Sequence, residues 1–196
     1  MNYLAHAYLS NNNKNLILGN FIADHIKGNN YKEYPNEIIN GILLHRKIDT
    51  FTDQHQQFKL AKRFFYDGFE KYSGILRDIY FDYFLAKNFT DYCTINLPSF
   101  TKQVYSIYDD FKGEMPKSGQ NFFNYILKTD LYNTYANIDG IEKVLLHLSY
   151  RIKHGILLNE SIKIFIQNEK ELFNCFTILI NEITAELTSN TNGFYK

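Results

Sequence analysis

Residues 41–55, GILLHRKIDTFTDQH, constrain the fold most strongly, because they place ionisable side chains on the apolar face of a predicted helix. At about 100° per residue, His45 and Asp49 lie one helical turn apart, and Ile42 and Ile48 lie within about 60° of them. An unpaired charge is expensive to bury in such a setting. The two groups must therefore pair with each other, as a buried contact that fixes helix packing, or bind a metal ion.

Two further helical patterns carry acids on an apolar face. Asp24 shares a face with apolar residues within residues 15–27, and Asp78 and Asp82 are spaced i, i+4 within residues 72–87. These acids would repel one another without a cation. In helical bundles, metal sites are built from inward side chains of facing helices at this spacing. The collective pattern favours a metal site over a purely structural pair.

The remaining chain also shows helical periodicity, and no run of period-two alternation predicts a strand. The helical patterns lie at residues 2–10, 15–27, 35 to at least 50, 54–67, 72–87, 98–112, 118–130, 138–154 and 160–190. The last span should break near Asn168, because few globular helices run so long. With 196 residues, 16 Tyr and 17 Phe, the chain is expected to form one all-α domain, a helical bundle over residues 1–196 with an aromatic core.

Charge and cysteine usage argue against several classes of protein. The 21 basic and 21 acidic residues give a net charge of zero, so the chain lacks the overall basic charge that is typical of a nucleic-acid binder. Cys93 and Cys175 are far apart, so a disulfide framework is not indicated and a reducing cytoplasm fits best. The N-terminus does not resemble a signal peptide, and no long apolar run predicts a membrane span. The oligomeric state is left open.

Imidazole and carboxylate ligands without thiolates suit manganese, magnesium, iron or zinc, and a carboxylate-rich set favours the harder ions. A divalent ion lowers the pKa of a bound water and polarises a phosphoryl oxygen. Phosphoester hydrolysis also needs cationic groups that stabilise the developing negative charge, for which Arg46 and Lys27 are candidates.

Asp53 is as well placed to cap the next helix as to join a site. His55 is predicted to be a surface or supporting group.

Four blocks of the sequence carry a family resemblance: MNYLAHAYLS, LGNFIADHIKG, GILLHRKIDTFTDQH and YSGILRDIYFDYFLAKNF, in this order. The chain closely resembles the acyl carrier protein phosphodiesterase family, distant relatives of the HD-domain metal-dependent phosphohydrolases. The resemblance implies an all-α, HD-like fold. It also implies hydrolysis of the phosphodiester that joins 4′-phosphopantetheine to a serine of holo acyl carrier protein. The implied ion is Mn²⁺, with Mg²⁺ or Fe²⁺ as alternatives.

The resemblance also implies roles for individual residues. By the HD pattern, His45 corresponds to a metal-ligand histidine. The candidate carboxylate ligands are Asp24, Asp78 and Asp82. Arg46 follows His45 where typical HD proteins have aspartate, so Asp49, one turn later, is either a ligand or the group that orients His45. His6 belongs to the N-terminal block and is assigned as a base or proton donor.

Two other functions remain open at this point. One is an HD-like phosphohydrolase acting on a nucleotide or another small phosphoester, and the other is a non-catalytic helical protein that binds a metal. Because carrier protein is acidic, its enzyme should present a basic surface. The residues available for a local patch are Lys47, Lys59, Lys62 and Arg63. Arg77 stands where the family more often has an apolar residue. It lies about 100° from Asp78 on its helix and is expected to be exposed.

Overall fold

The structure is a computed structural model that describes residues 1–152 and 155–189. All regular secondary structure in these two ranges is helical, which confirms the all-α prediction. The α-helices are α1 (Tyr3–Tyr8), α2 (Lys14–Ile22), α3 (Asn36–Gln54), α4 (Gln56–Arg63), α5 (Tyr66–Phe69), α6 (Ser73–Lys87), α7 (Phe89–Tyr92), α8 (Leu97–Asp110), α9 (Lys117–Thr129), α10 (Leu131–Thr134), α11 (Ile138–Arg151), α12 (Ser161–Gln167) and α13 (Glu169–Ser189). Short 3₁₀ turns lie at Ala23–His25, Asn30–Glu33, Glu70–Tyr72, Lys112–Glu114 and Leu158–Glu160.

The long helices agree with the periodicity of the sequence. Helices α3 and α6 match the two strongest patterns, and the predicted break near Asn168 separates α12 from α13. Asparagine side chains begin several helices: Asn13 accepts hydrogen bonds from the backbone N–H groups of Asn15 and Leu16 at the start of α2. The ends of two predicted spans, at residues 153–154 and 190, lie outside the described residues.

Helix α6 is the central helix of the core, because apolar side chains are buried on all its sides. Tyr80 stacks between Phe65 and Phe165, with ring centroids 5.2 and 4.2 Å away. Phe84 contacts Phe165 and Phe176. The aromatic core expected from the composition is therefore present, and it joins α6 to helices of the second half of the chain.

Helices α2 and α3 pack backbone to backbone through two glycines. A Cβ atom on Gly19 would lie 2.8 Å from the Cα of Gly41, and one on Gly41 would lie 2.7 Å from the carbonyl oxygen of Leu16. No larger residue fits at either position without moving a helix. This close approach places the residue after Gly19 against the α3 turn that follows Gly41, where the ionisable groups lie.

No described helix is both long enough and apolar enough to cross a membrane. That residues 1–196 form a single domain stays a prediction.

Candidate metal centre

Three elements bring four ionisable side chains together. Helix α1 supplies His6, the 3₁₀ turn after α2 supplies Asp24, and α3 supplies His45 and Asp49. The Nε2 atom of His45 lies 3.2 Å from Oδ1 of Asp24 and 3.1 Å from Oδ2 of Asp49. The Nε2 atom of His6 lies 3.3 Å from the other oxygen of Asp49. Candidate ligand atoms of His6, His45 and Asp49 all lie within 4.8 Å of one another, so the cluster could hold a metal ion.

One buried amide, Asn20, orients both imidazole rings. Its Oδ1 atom lies 2.8 Å from Nδ1 of His6 and 2.9 Å from Nδ1 of His45. The amide itself is fixed, because its Nδ2 donates to the carbonyl oxygen of His6 at 3.0 Å and to Oγ of Ser10 at 3.1 Å. An amide oxygen only accepts hydrogen bonds, so both Nδ1 atoms must carry the proton. In the neutral rings, Nε2 then presents its lone pair to the carboxylates.

Burial and neighbouring charges shift the pKa values of the two histidines in opposite directions. Burial lowers the pKa of His6, and the charge of His45 adds to this, against the opposing hydrogen bond of Asp49. Burial also acts to lower the pKa of His45, but hydrogen bonds to Asp24 and Asp49 outweigh it and raise that pKa to about 9. Burial acts to raise the pKa of both carboxylates, and the histidines reverse this, so both pKa values fall below the ordinary value.

The donor set fits a divalent metal ion. A neutral His6 directs an unprotonated Nε2 at a carboxylate oxygen of Asp49, 3.3 Å away. Two acceptors that face each other at this distance are stable only with a proton or a cation between them. Two imidazole nitrogens with carboxylate oxygens suit a divalent transition-metal ion. The second ring nitrogens are held by Asn20, as metal-ligand histidines usually require.

The cluster lines a cavity of about 330 Å³ that opens to solvent. Its described lining residues are Met1, Asn2, His6, Asp24, His45, Asp49, Asp53, Arg77 and Asp78. The side chains of Asp24 and Asp49 are 48% and 44% exposed, whereas those of the histidines are buried. The wall carries four carboxylates against the Arg77 guanidinium and the N-terminal ammonium of Met1, whose nitrogen lies 3.7 Å from Oδ1 of Asp78. A bound cation would therefore favour the entry of an anionic substrate.

The two acids on α6 take different positions. Asp78 lines the cavity, but its Oδ1 atom accepts hydrogen bonds from Nε and Nη2 of Arg77 at 3.0 and 2.8 Å. Asp82 is fully buried and is not among the cavity-lining residues. Its carboxylate accepts hydrogen bonds from the backbone N–H groups of Leu4 and Ala5 at 2.9 and 3.2 Å. The structure therefore does not bring Asp82 to the other candidate ligands; it holds the start of α1.

The two residues expected to provide cationic cover point elsewhere. Arg46 donates to the carbonyl oxygen of Gly28 at 3.2 Å and lies over the ring of Tyr31, 4.5 Å from its centroid. Lys27 lines a different surface depression. Arg77, expected to be exposed, is only 8% exposed and lies in the cavity wall. That expectation was wrong because Phe58 packs on the face of the guanidinium.

Residues after the cluster on α3 have separate roles. Asp53 lies in the last turn of α3 and lines the cavity. His55 caps α4, where its Nδ1 accepts from the backbone N–H of Gln57 at 3.2 Å, and its Nε2 lies 2.9 Å from Glu182. The sequence reasoning missed the roles of Asn20 and Arg77. The position of Asn20 one turn before Asp24 was the available signal.

An all-α protein whose open cavity is lined by histidines and carboxylates that could hold a metal ion has the side chains that metal-dependent hydrolases use. A family model described as acyl carrier protein phosphodiesterase matches residues 1–183. The chain therefore belongs to the acyl carrier protein phosphodiesterase family, which confirms the resemblance read from its sequence.

Individual relatives agree with this assignment. Acyl carrier protein phosphodiesterases from Serratia proteamaculans (strain 568) and Pectobacterium atrosepticum are each 32% identical over 152 residues, 77% of this chain and 79% of theirs. The protein of that name from Yersinia pestis is 32% identical over 154 residues, again 77% of this chain and 79% of its own. No solved structure matches the chain. The HD-like character of the fold stays a prediction.

Proposed function

We propose that this protein is a metal-dependent phosphodiesterase that hydrolyses the 4′-phosphopantetheine group from holo acyl carrier protein, giving the apo form and phosphopantetheine. Family membership supports the substrate. The observation that carries the chemistry is the pair of Nε2 atoms, on His6 and His45, held by one amide so that both face carboxylates around an open cavity.

We propose that His6, Asp24, His45 and Asp49 hold the ion, with Mn²⁺ as the preferred one. The ion would supply a Lewis acid and a water of lowered pKa. The protein supplies the rest. Asn20 keeps both rings in the required tautomer, and the cavity wall positions the phosphodiester. The half-exposed carboxylates leave the site open to a substrate presented on another protein. Asp78 is paired with Arg77 and lies outside the proposed ligand set.

We also propose that the protein is cytoplasmic and forms a single domain. Cys93 and Cys175 are free thiols, which suits a reducing cytoplasm. The buried core includes residues from Leu4 to Leu187, which supports a single domain over residues 1–196. The candidate basic patch is partly neutralised, because Lys47 pairs with Glu186 at 3.4 Å. The other members of the patch lie on α4, and we propose no nucleic-acid partner for this neutral chain.

The test is intact-mass analysis of holo carrier protein incubated with the protein and Mn²⁺, with and without chelator. A chelator-sensitive loss of the phosphopantetheine mass supports the proposal. An unchanged carrier protein together with cleavage of a generic phosphodiester would assign a small-molecule phosphohydrolase. Metal binding without either cleavage would indicate a non-catalytic metal protein. His147→Ala is the matched control for His45→Ala, because His147 stacks on Tyr125 outside the cavity.

A further inference from the structure

Arg77 is the single Lys or Arg side chain among the described residues that line the cavity. It lies on α6, one residue before Asp78, and only 8% of the residue is exposed. A buried guanidinium always keeps its charge and must be paired. Its placement beside the candidate metal centre therefore needs either a purely structural explanation or a ligand.

The guanidinium of Arg77 is held rigidly by two neighbours. Its Nε and Nη2 atoms both donate to Oδ1 of Asp78, at 3.0 and 2.8 Å. Its central carbon lies 3.1 Å from the centroid of the Phe58 ring, so the ring covers one face. These contacts fix the plane of the group before any ligand arrives. A pre-organised group loses little conformational entropy on binding.

Part of the donor capacity of Arg77 is unused. Guanidinium has five N–H donors, and the hydrogen bonds to Asp78 use only Nε and Nη2. Nη1 has no hydrogen-bond partner among residues 1–152 and 155–189. A planar fork with free donors matches the oxygens of a phosphate group. Arg77 lines the same cavity as His45 and Asp49.

We propose that Arg77 binds the non-bridging oxygens of the substrate phosphodiester, in the cavity that the histidine and carboxylate cluster also lines, and that Asp78 and Phe58 position it. This inference rests on the proposed function. Arg77 would thereby offset the charge that develops on the phosphoryl oxygens, the task that the sequence suggested for Arg46 and Lys27. Asp78 serves as a positioning residue through Arg77.

The first experiment measures binding of inorganic phosphate to the Mn²⁺-loaded full-length protein by titration calorimetry. Arg77→Gln should weaken phosphate binding by about tenfold or more, since it removes charged hydrogen bonds. Arg77→Lys, which keeps the charge but loses the fork, should fall between this variant and the wild type. Arg46→Gln is the matched control and should stay within about twofold of the wild type. Mn²⁺ affinity should change little in all three variants.

The second experiment separates binding from folding and from the identity of the substrate. In steady-state cleavage of holo carrier protein, Arg77→Gln should lose kcat/KM by at least the same factor, while Arg77→Lys recovers part of it. Wild-type phosphate binding by a folded Arg77→Gln variant would overturn the role of Arg77. If Arg77→Gln does not fold, the same result with Arg77→Lys would overturn it.

The two proposals fail in different ways. If the wild type does not cleave carrier protein, the proposed function is wrong, while the phosphate titration still decides the role of Arg77. If carrier protein is cleaved and both Arg77 variants bind phosphate and turn over normally, only the inference about Arg77 is wrong.

Discussion

Two helices of this protein carry ionisable pairs with the same spacing but opposite environments. On α3, His45 and Asp49 contact each other at 3.1 Å at the edge of an open cavity. On α6, Asp78 pairs with the neighbouring Arg77, and Asp82 is fully buried against α1. An i, i+4 pair on an apolar face therefore does not by itself bring both side chains to one cavity.

The difference comes from what faces each pair. Helix α3 faces Asn20 and His6, which supply a fixed acceptor and a second imidazole. Asp82 instead faces the first turn of α1, whose backbone N–H groups satisfy a carboxylate without a metal. Asp82 still supports the site, because it holds α1, the helix that carries His6.

The largest expected effect is on the α3 pair. His45→Ala should abolish metal-dependent turnover and lower Mn²⁺ affinity by more than about 100-fold, because it removes a proposed ligand and not merely a supporting group. Calorimetry and the carrier-protein mass assay measure the two effects, and far-ultraviolet circular dichroism should show an unchanged helical signal. Full activity in this variant would remove His45 from the site.

Substitutions of Asn20 test whether its hydrogen bonds to His6 and His45 are needed for Mn²⁺ binding. Asn20→Leu removes the shared acceptor and should weaken Mn²⁺ binding by roughly 10- to 100-fold. Asn20→Asp keeps an acceptor oxygen and should weaken it less. Long-range ¹⁵N–¹H spectra of the Zn²⁺-loaded protein should show both rings with Nδ1–H in the wild type. Unchanged affinity and tautomers in Asn20→Leu would contradict this role.

Asp82→Ala tests the buried acid of α6, which the comparison sets against the α3 pair. Loss of a buried carboxylate that pairs with two backbone N–H groups should lower the free energy of unfolding by about 2–4 kcal/mol. Because Asp82 reaches the site only through α1, Mn²⁺ affinity should fall less than in His45→Ala. Urea unfolding and calorimetry measure the two quantities. Unchanged stability with a loss of metal as large as that of His45→Ala would make Asp82 a ligand and remove the contrast.

The pH dependence of stability is the smallest effect when it is expressed per pH unit. Burial raises the pKa of Asp82 to about 7, against the opposing hydrogen bonds from Leu4 and Ala5. The folded protein then binds more protons than the unfolded chain between about pH 4 and pH 7, so stability should fall as pH rises through this window. The slope is at most about 1.4 kcal/mol per pH unit. Urea unfolding with chelator present should show this slope in the wild type but not in Asp82→Asn, and identical slopes would contradict the shift.

The local parts of the fold were predictable. The period of apolar residues located α3 and α6, and the turn at Asn168 was expected from the limited length of globular helices. The local half of the site was predictable too, since the spacing of His45 and Asp49 makes them neighbours in any helix. These features depend on residues within one or two turns of each other.

The sequence by itself determined an all-α chain with ionisable groups on apolar faces, because helical periodicity is a local property. Tertiary packing decided which groups share a cavity. The close contact of Gly19 and Gly41 brings Asn20 against His45, and the first turn of α1 draws Asp82 away from it. Identical spacing on two helices gave a candidate metal centre in one case and a helix cap in the other, because the partners come from distant parts of the chain.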